Sequence, residues 1–385
     1  MPTAEIPAPY PNPSNSVVWE VATNSSHIAG YTGEAQVREL WYTVWESSFW
    51  ETFMGDGEDA IIQTKHELQR DRTGDIVHFY LIGEDTGAPI DNSYEAWGSE
   101  ETSTIYQDSV TLGLIRHSKR IVKPMSQQRS IFDLTELIRK IHEQWWIDEG
   151  FDKMITRKLC GLSYYDAGGS TPSDIIGEAA TANTNVMYGG DAVSENTIDS
   201  SDKLTLELLY KAREAAQMGV VGSTTARKIA PASVYGERNY IVVLHPYQIY
   251  DLTQDPDWRT TFLYGDVRGS ANELIRDKGN LPGMKYTPFA KIEDMLIFSY
   301  RNMPTFTGGV SGQEPGAYGL FLGRQAGLFA FGGTGLQYVE DGGPYDEYYG
   351  VMTRALAGFD KATFNGIDNA AIKLTTYADK HYTNV

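Results

Sequence analysis

Residues 130–161 read SIFDLTELIRKIHEQWWIDEGFDKMITRKLCG. Leu134, Leu137, Ile138, Ile141, Trp145, Phe151, Met154, Ile155 and Leu159 recur at three- and four-residue intervals, so one face of a helix is apolar along its length. Ser130 supplies an N-cap with Asp133 at a capping-box position, and Gly161 supplies the left-handed residue that ends such a helix. Gly150 is where it bends. A helix of roughly 30 residues runs about 45 Å, longer than most in globular proteins and suited to be the backbone of a flat, elongated subunit.

The chain arrives at this helix along an unusual path. DIVHFYLI (75–82) and SVTLGLIRHSKRIVKP (109–124) read as strands by their β-branched and aromatic content, the second closed by Pro124. The connection between them is long and polar, an extended hairpin-like loop of the kind that usually serves a function. It is also charged in blocks. Residues 84–108 carry seven acidic side chains (Glu84, Asp85, Asp91, Glu95, Glu100, Glu101, Asp108) and no Lys or Arg. From Arg116 to Arg129 there are five basic ones (Arg116, Lys119, Arg120, Lys123, Arg129) and no Asp or Glu. A solvated strand and helix start is one reading of the basic block. A nucleic-acid patch is another, weakened by the absence of interleaved aromatics and by the carboxylates next door. A third is charge complementarity between copies: an outward acidic loop cannot easily fold back on its own base, but it can lie on a neighbour's. We expect these twelve residues to make inter-subunit contacts.

Outward from there the pattern is mixed. Residues 1–30 are rich in Pro, Ser and Asn yet carry Tyr10, Val17, Val18 and Trp19, as expected of an arm lying across another surface. Glu34–Phe53 has helical spacing, and GDGED (55–59) is a turn. Residues 162–201 read as a long irregular connection, and DKLTLELLYKAREAAQMG (202–219) as a helix from Asp202 to Gly219. NYIVVLHP (239–246) is a buried strand leading into a short helix in YQIYDLTQD, with His245 explained by a turn and helix cap. DMLIFSY (294–300), AYGLFLG (317–323) and LFAFGG (328–333) are further strands; the segment from 351 onward is helix or strand. Interspersed helices and strands with one dominant helix give an α+β class.

Composition excludes several functions. A formal charge of -19 argues against a general nucleic-acid binder, although it suits a surface that must stay near nucleic acid without adhering to it. The lone Cys160 excludes an internal disulfide and reads as a small buried hydrophobe. No apolar run approaches the ~18 residues of a membrane span, and the amino terminus does not read as a signal peptide, so the chain is expected to be soluble and intracellular in origin. HEQWW (142–146) has Trp146 where a zinc-protease helix needs its second His, leaving His142 and Glu143 as a surface pair. No phosphate loop, nucleophile elbow or calcium-loop spacing occurs, and we expect no enzyme activity, metal or cofactor.

Four stretches together resemble a known family: DIVHFYLIG, IRHSKRIVKPMSQQRSIFDLTELIRKIHEQWW, NYIVVLHPYQIYDLTQDPDW and the late AGFDKATFNG. In this order they look like the major capsid proteins of tailed bacteriophages, nearest to coat proteins of virulent enterobacterial podoviruses with a virion RNA polymerase. The resemblance implies the Hong Kong 97-type capsid fold. Mapped onto this chain, 1–50 would be the amino-terminal arm, 60–124 the extended β-loop and 201–333 the axial domain. Residues 125–200 with 334–385 would be the peripheral domain, with its spine helix at 130–161.

The resemblance further implies hexamers and pentamers of an icosahedral head around double-stranded DNA, bound without sequence preference. Scaffolding, portal and cement proteins would be partners, the virion the final location, and the host bacterial cytoplasm the site of assembly. Some relatives lose an amino-terminal extension to a protease; here we expect the arm to remain uncut. Others cross-link through a Lys in the loop tip, which 84–108 lacks, so non-covalent stabilisation is expected. Two alternatives account for part of the composition: a secreted or surface carbohydrate-binding module, from the Tyr, Trp and Gly content, and an enzyme of unrecognised class.

Overall fold

The computed structural model describes residues 44, 47–68, 76–82, 105–122, 134–164, 182–221, 224–225, 227–234, 237–260, 286–310, 312–341 and 348–381. The expected arm, most of the 34–53 helix, the loop tip and the Ser130 cap lie outside them.

The long helix is continuous from Leu134 to Leu159, about 39 Å at ~1.5 Å per residue, but not uniform. An α-helix at Leu134–Trp145 gives way to a π-helical stretch at Trp146–Phe151, which contains Gly150, and then to a second α-helix at Asp152–Leu159. Gly150 lies within this change of helical pitch. Its far end is a Schellman turn: Leu162 N–H donates to Arg157 O at 2.9 Å and Gly161 N–H to Lys158 O at 3.0 Å, with Gly161 at φ 69°.

Two sheets flank this helix. The larger has the strand order Ala290–Ile292, Met295–Ser299, Glu237–Leu244, Glu314–Leu322, Ala371–Tyr377, Val186–Tyr188, with Thr305–Gly308 and Ala232–Val234 paired alongside. Its central strand is covered on both faces, so Tyr240 to Leu244 is a continuous buried apolar run. His245 ends that strand and caps the helix Pro246–Gln254 by accepting the Tyr247 N–H, while Gln248 accepts the His245 N–H. The helix expected from Asp202 begins at Leu206, capped by Thr205. Asp202 instead holds the preceding loop by accepting from Asp191 and Asp199 N–H, and Gly219 ends the helix in the left-handed region.

The second sheet has the order Met54–Gly55, Ile62–Leu68, Gly327–Asp341, Tyr348–Lys361, Gly113–Val122. It shows that SVTLGLIRHSKRIVKP is two strands. Ile105–Thr111 pairs with Ile76–Ile82 as the loop hairpin; the chain then breaks at buried Leu112, and Gly113–Val122 pairs antiparallel with Tyr348–Lys361. The pairing also crosses the boundaries drawn from the sequence, since 186–188 and 371–377 join the strands of 237–322, and 62–68 and 113–122 join those of 327–361.

The hairpin alternates cleanly. Val77, Phe79 and Val110 point inward onto Leu112, Leu328, Ala330, Ala362 and Phe364, forming a small core of their own, whereas Ile76, Tyr80 and Ile105 are exposed. It seats against the sheet where Gly358 allows close approach. A Cβ at 358 would lie 2.4 Å from Thr111 O and 2.9 Å from Val110 Cγ1. Gly358→Ala should therefore lift the hairpin base, costing about 1–3 kcal/mol as overpacking does; a lowered Tm with faster proteolysis within 83–104 is the expected readout. Just beyond, Asn365 (φ 57°) and Gly366 (φ 75°) make the two-residue turn between Thr363–Phe364 and Ile367–Asp368, as Asn-Gly does in a type I′ hairpin.

Candidate assembly surface

Strand register divides the basic block between two faces. In Gly113–Val122, Ile115 and His117 stand opposite Ala355 and Thr353 on the side facing the long helix. Leu114, Arg116, Ser118 and Arg120 point the other way, opposite Leu356, Arg354, Met352 and Gly350. This outward face is open among the described residues. Leu114 and Leu356 are 43% and 40% exposed, and Arg116 and Arg120 are exposed beside them. Arg354 joins them, its Nε donating to Gln337 Oε1 at 2.7 Å on the next strand. The result is a ridge of arginines between exposed leucines. Lys119 lies on the helix-facing side although it too is exposed.

Arg354 escaped the sequence reading because it stands alone in an apolar stretch; only cross-strand pairing places it opposite Arg116. Lys123, Arg129, Glu84, Asp85, Asp91, Glu95, Glu100 and Glu101 lie outside the described residues. Asp108 is described, and its carboxylate is engaged within the chain: Oδ2 accepts from Thr363 N–H at 2.8 Å and Oδ1 from Ser109 N–H at 2.8 Å.

Beneath the ridge, the helix is fastened at three points. The first corrects the reading of HEQWW. His142 is buried, not a surface residue. Trp146 Nε1 donates to Thr353 Oγ1 at 2.6 Å, and the same hydroxyl lies 3.0 Å from His142 Nδ1. His117 stacks on Trp145 with ring centroids 4.1 Å apart and sits 4.9 Å from the His142 ring. Burial, with His117 and Lys119 nearby, pushes His142 down to about 4.

The second fastening is Asp152. Its carboxylate accepts from Ser48 Oγ (2.5 Å) and Phe49 N–H (3.1 Å) on the segment entering from the amino-terminal side, and from Tyr300 OH (3.0 Å) after the strand Met295–Ser299. Phe49 stacks on Tyr300 at 4.4 Å, and Trp50 Nε1 donates to Thr156 Oγ1 at 2.8 Å. Desolvation outweighs these hydrogen bonds and pushes the Asp152 carboxyl up to about 6.

The third is a buried ion pair at the helix C-terminus. Lys361 Nζ contacts Asp368 Oδ1 at 2.6 Å, both side chains fully buried, and donates to Asn183 Oδ1 at 2.9 Å and Ala182 O at 3.2 Å. Asp368 accepts the Thr184 and Asn185 N–H groups, and Asn183 Nδ2 donates to Leu159 O. The last turn of the helix, the segment 182–185 and the C-terminal strands are thus joined through one pair. Cys160 lies in the same core, its thiol pushed up to about 12 by burial, so it behaves as the hydrophobe its sequence context implied.

Among the described residues no three His, Cys, Asp or Glu are grouped to hold a metal. What the fold presents instead is a long helix anchored at three points, a hairpin seated on the second sheet and, among the described residues, an exposed sheet face. That architecture has counterparts. The phage capsid protein family model matches residues 33–271, more than half of the chain. The chain belongs to the phage capsid protein family.

The most informative relatives agree over nearly the full length. A major capsid protein of Pseudomonas phage KPP25 is 26% identical over 369 residues, 88% of this chain and 93% of that protein. The capsid of Ralstonia phage GP4 superposes with a TM-score of 0.71 at 26% identity, over 94% of this chain and 98% of that one. Cyanophage Pam1 capsid, at 15% identity, shares the fold with a TM-score of 0.63 over 92% and 97%. The fold is the Hong Kong 97-type α+β capsid fold. This capsid chain is a major capsid protein, a structural, self-assembling component of a phage virion rather than an enzyme. No helix among the described residues is long and apolar enough to cross a membrane.

Proposed function

We propose that this capsid chain closes into hexamers and pentamers of an icosahedral head around double-stranded DNA, with the acidic loop of one copy seated on the arginine ridge of the next. The observation that carries this reading is the sheet face on which Arg116 and Arg354 stand opposite each other, in a chain whose residues 84–108 carry seven acidic groups and no basic one. Charge pairing of this kind sets register and partner choice more than affinity. Buried apolar area along the long helix and the arm would supply most of the driving force. The overall charge of -19 fits a container that must hold DNA and let it go.

The same reading assigns 1–50 to an arm, 60–124 to the extended loop, 125–200 with 334–385 to a peripheral domain and 201–333 to an axial domain. Scaffolding, portal and cement proteins are the further partners it calls for, with assembly in the bacterial cytoplasm. The narrower kinship with podoviruses that carry a virion RNA polymerase rests on the order of the four quoted stretches. Negative-stain microscopy of the purified chain, alone and with its scaffolding partner, should reveal capsomers or shells. Monodisperse monomers under all conditions would overturn the proposal.

A further inference from the structure

We infer that the long helix is held by two joints that respond to acid in opposite senses, one releasing the base of the loop and the other keeping the amino-terminal segment clamped. They lie on either side of the π-helical stretch Trp146–Phe151. Each is built from a buried titratable group of the helix, His142 or Asp152, reaching across to other elements.

At the first joint the geometry has no room for a second proton. Trp146 Nε1 can only donate, so Thr353 Oγ1 accepts from it and has one proton left to share with His142 Nδ1. His142 Nε2 has no partner among the described residues. Whichever nitrogen carries the proton of the neutral ring, a second proton creates a buried cation with an unsatisfied N–H. The charged and titratable groups facing it from the strand Gly113–Val122 are His117 and Lys119, both of which oppose the added charge. The strand Tyr348–Lys361 contributes Thr353, which does not titrate, and Arg354 points to the outward face. Protonation therefore separates the loop's return strand from the helix.

At the second joint a proton can be accommodated. Ser48 Oγ is 2.5 Å from Asp152 Oδ1, so the hydrogen bond can reverse and a protonated Oδ1 can donate to the serine oxygen. Oδ2 continues to accept from Phe49 N–H and Tyr300 OH. The groups around it are Tyr300 and Tyr286 from the sheet side and Asp148 one turn earlier on the helix, the last paired with Arg301 at 2.9 Å. Burial, helped by the Asp148 carboxylate, favours the neutral acid.

The signs follow from linkage. A lowered imidazole binds fewer protons folded than unfolded, so its contribution is present above the ordinary His value near 6.5 and is lost as pH falls through about 4. A raised carboxyl binds more protons folded, so its contribution grows as pH falls from about 6 toward 3.8. Between pH 4 and 6 the two therefore oppose each other.

Histidine C2-hydrogen exchange, read by mass spectrometry on the intact protein from pH 3.5 to 7.5, tests the first joint without substitution. A midpoint for His142 well below that of an unfolded peptide supports the inference, and a midpoint at or above 6 overturns it. Calorimetry of Asp152→Asn and His142→Gln tests the opposition. Between pH 7 and 4.5 the Tm of Asp152→Asn should drop further than that of wild type, and His142→Gln should drop less or rise. Parallel pH profiles for all three proteins would overturn it. If His142→Gln does not fold, the exchange midpoint and the Asp152→Asn profile still decide.

Discussion

Replacing Lys361 with alanine should be the most damaging single substitution among those considered, costing about 3–5 kcal/mol because it leaves a buried carboxylate without its countercharge. Asp368 is fully buried and contacts Lys361 Nζ at 2.6 Å. The same ammonium satisfies Asn183 Oδ1 and Ala182 O, so its removal also loosens the segment that tethers the helix end at Leu159. Urea denaturation of the purified chain gives the measurement. The double variant Lys361→Met with Asp368→Asn should recover much of the loss, since Asn keeps an oxygen for the Thr184 and Asn185 N–H groups while both charges are gone. A double variant no more stable than Lys361→Ala would show that the damage comes from the lost hydrogen bonds to Ala182 and Asn183 rather than from an uncompensated charge.

Reversing Arg116 and Arg120 to Glu should abolish shell formation, or restrict it to low salt, while leaving the chain folded by circular dichroism. Both side chains project from the outward sheet face, and neither substitution disturbs the helix-facing side. Lys119→Glu should have a smaller effect, because its side chain belongs to the opposite face. Screening within about 10 Å at 0.1 M salt makes the salt dependence of assembly the sensitive readout. A compensating exchange, with Glu100 and Glu101 changed to Lys in the Arg116/Arg120 variant, should restore assembly if loop and ridge meet. Wild-type yield and salt tolerance in the first variant would sink the charge-pairing reading.

Much of the fold was legible in advance. The long helix, described from Leu134 to Leu159, the strands at 76–82, 237–244, 295–299 and 314–322, and the cap at His245 all rest on local pattern. Where expectation and structure part, a distant partner intervened. SVTLGLIRHSKRIVKP is one strand by composition, yet Leu112 is drawn into the small core under the hairpin and splits it between two sheets. His142 reads as a surface residue by its polar neighbours, yet Thr353, more than two hundred residues away, sits against it. Asp152 looks like one of many acids on an amphipathic helix; Ser48 and Tyr300 make it a three-way junction. The segment from 351 onward was open between helix and strand, and Asn365-Gly366 was the unused signal for a hairpin.

The amino-acid sequence by itself determined the elements and the charge blocks, because helical periodicity, strand composition and runs of like charge are local properties of a chain. It did so most securely for the long one-faced helix with Gly150 within it. Only the tertiary structure decided which face of a strand looks outward, because a shift of one residue in register inverts every side chain. The pairing of Arg116 with Arg354 turned part of a basic run into a ridge and left Lys119 on the other side. It also decided which polar residues are buried, since desolvation depends on neighbours that arrive from remote parts of the chain.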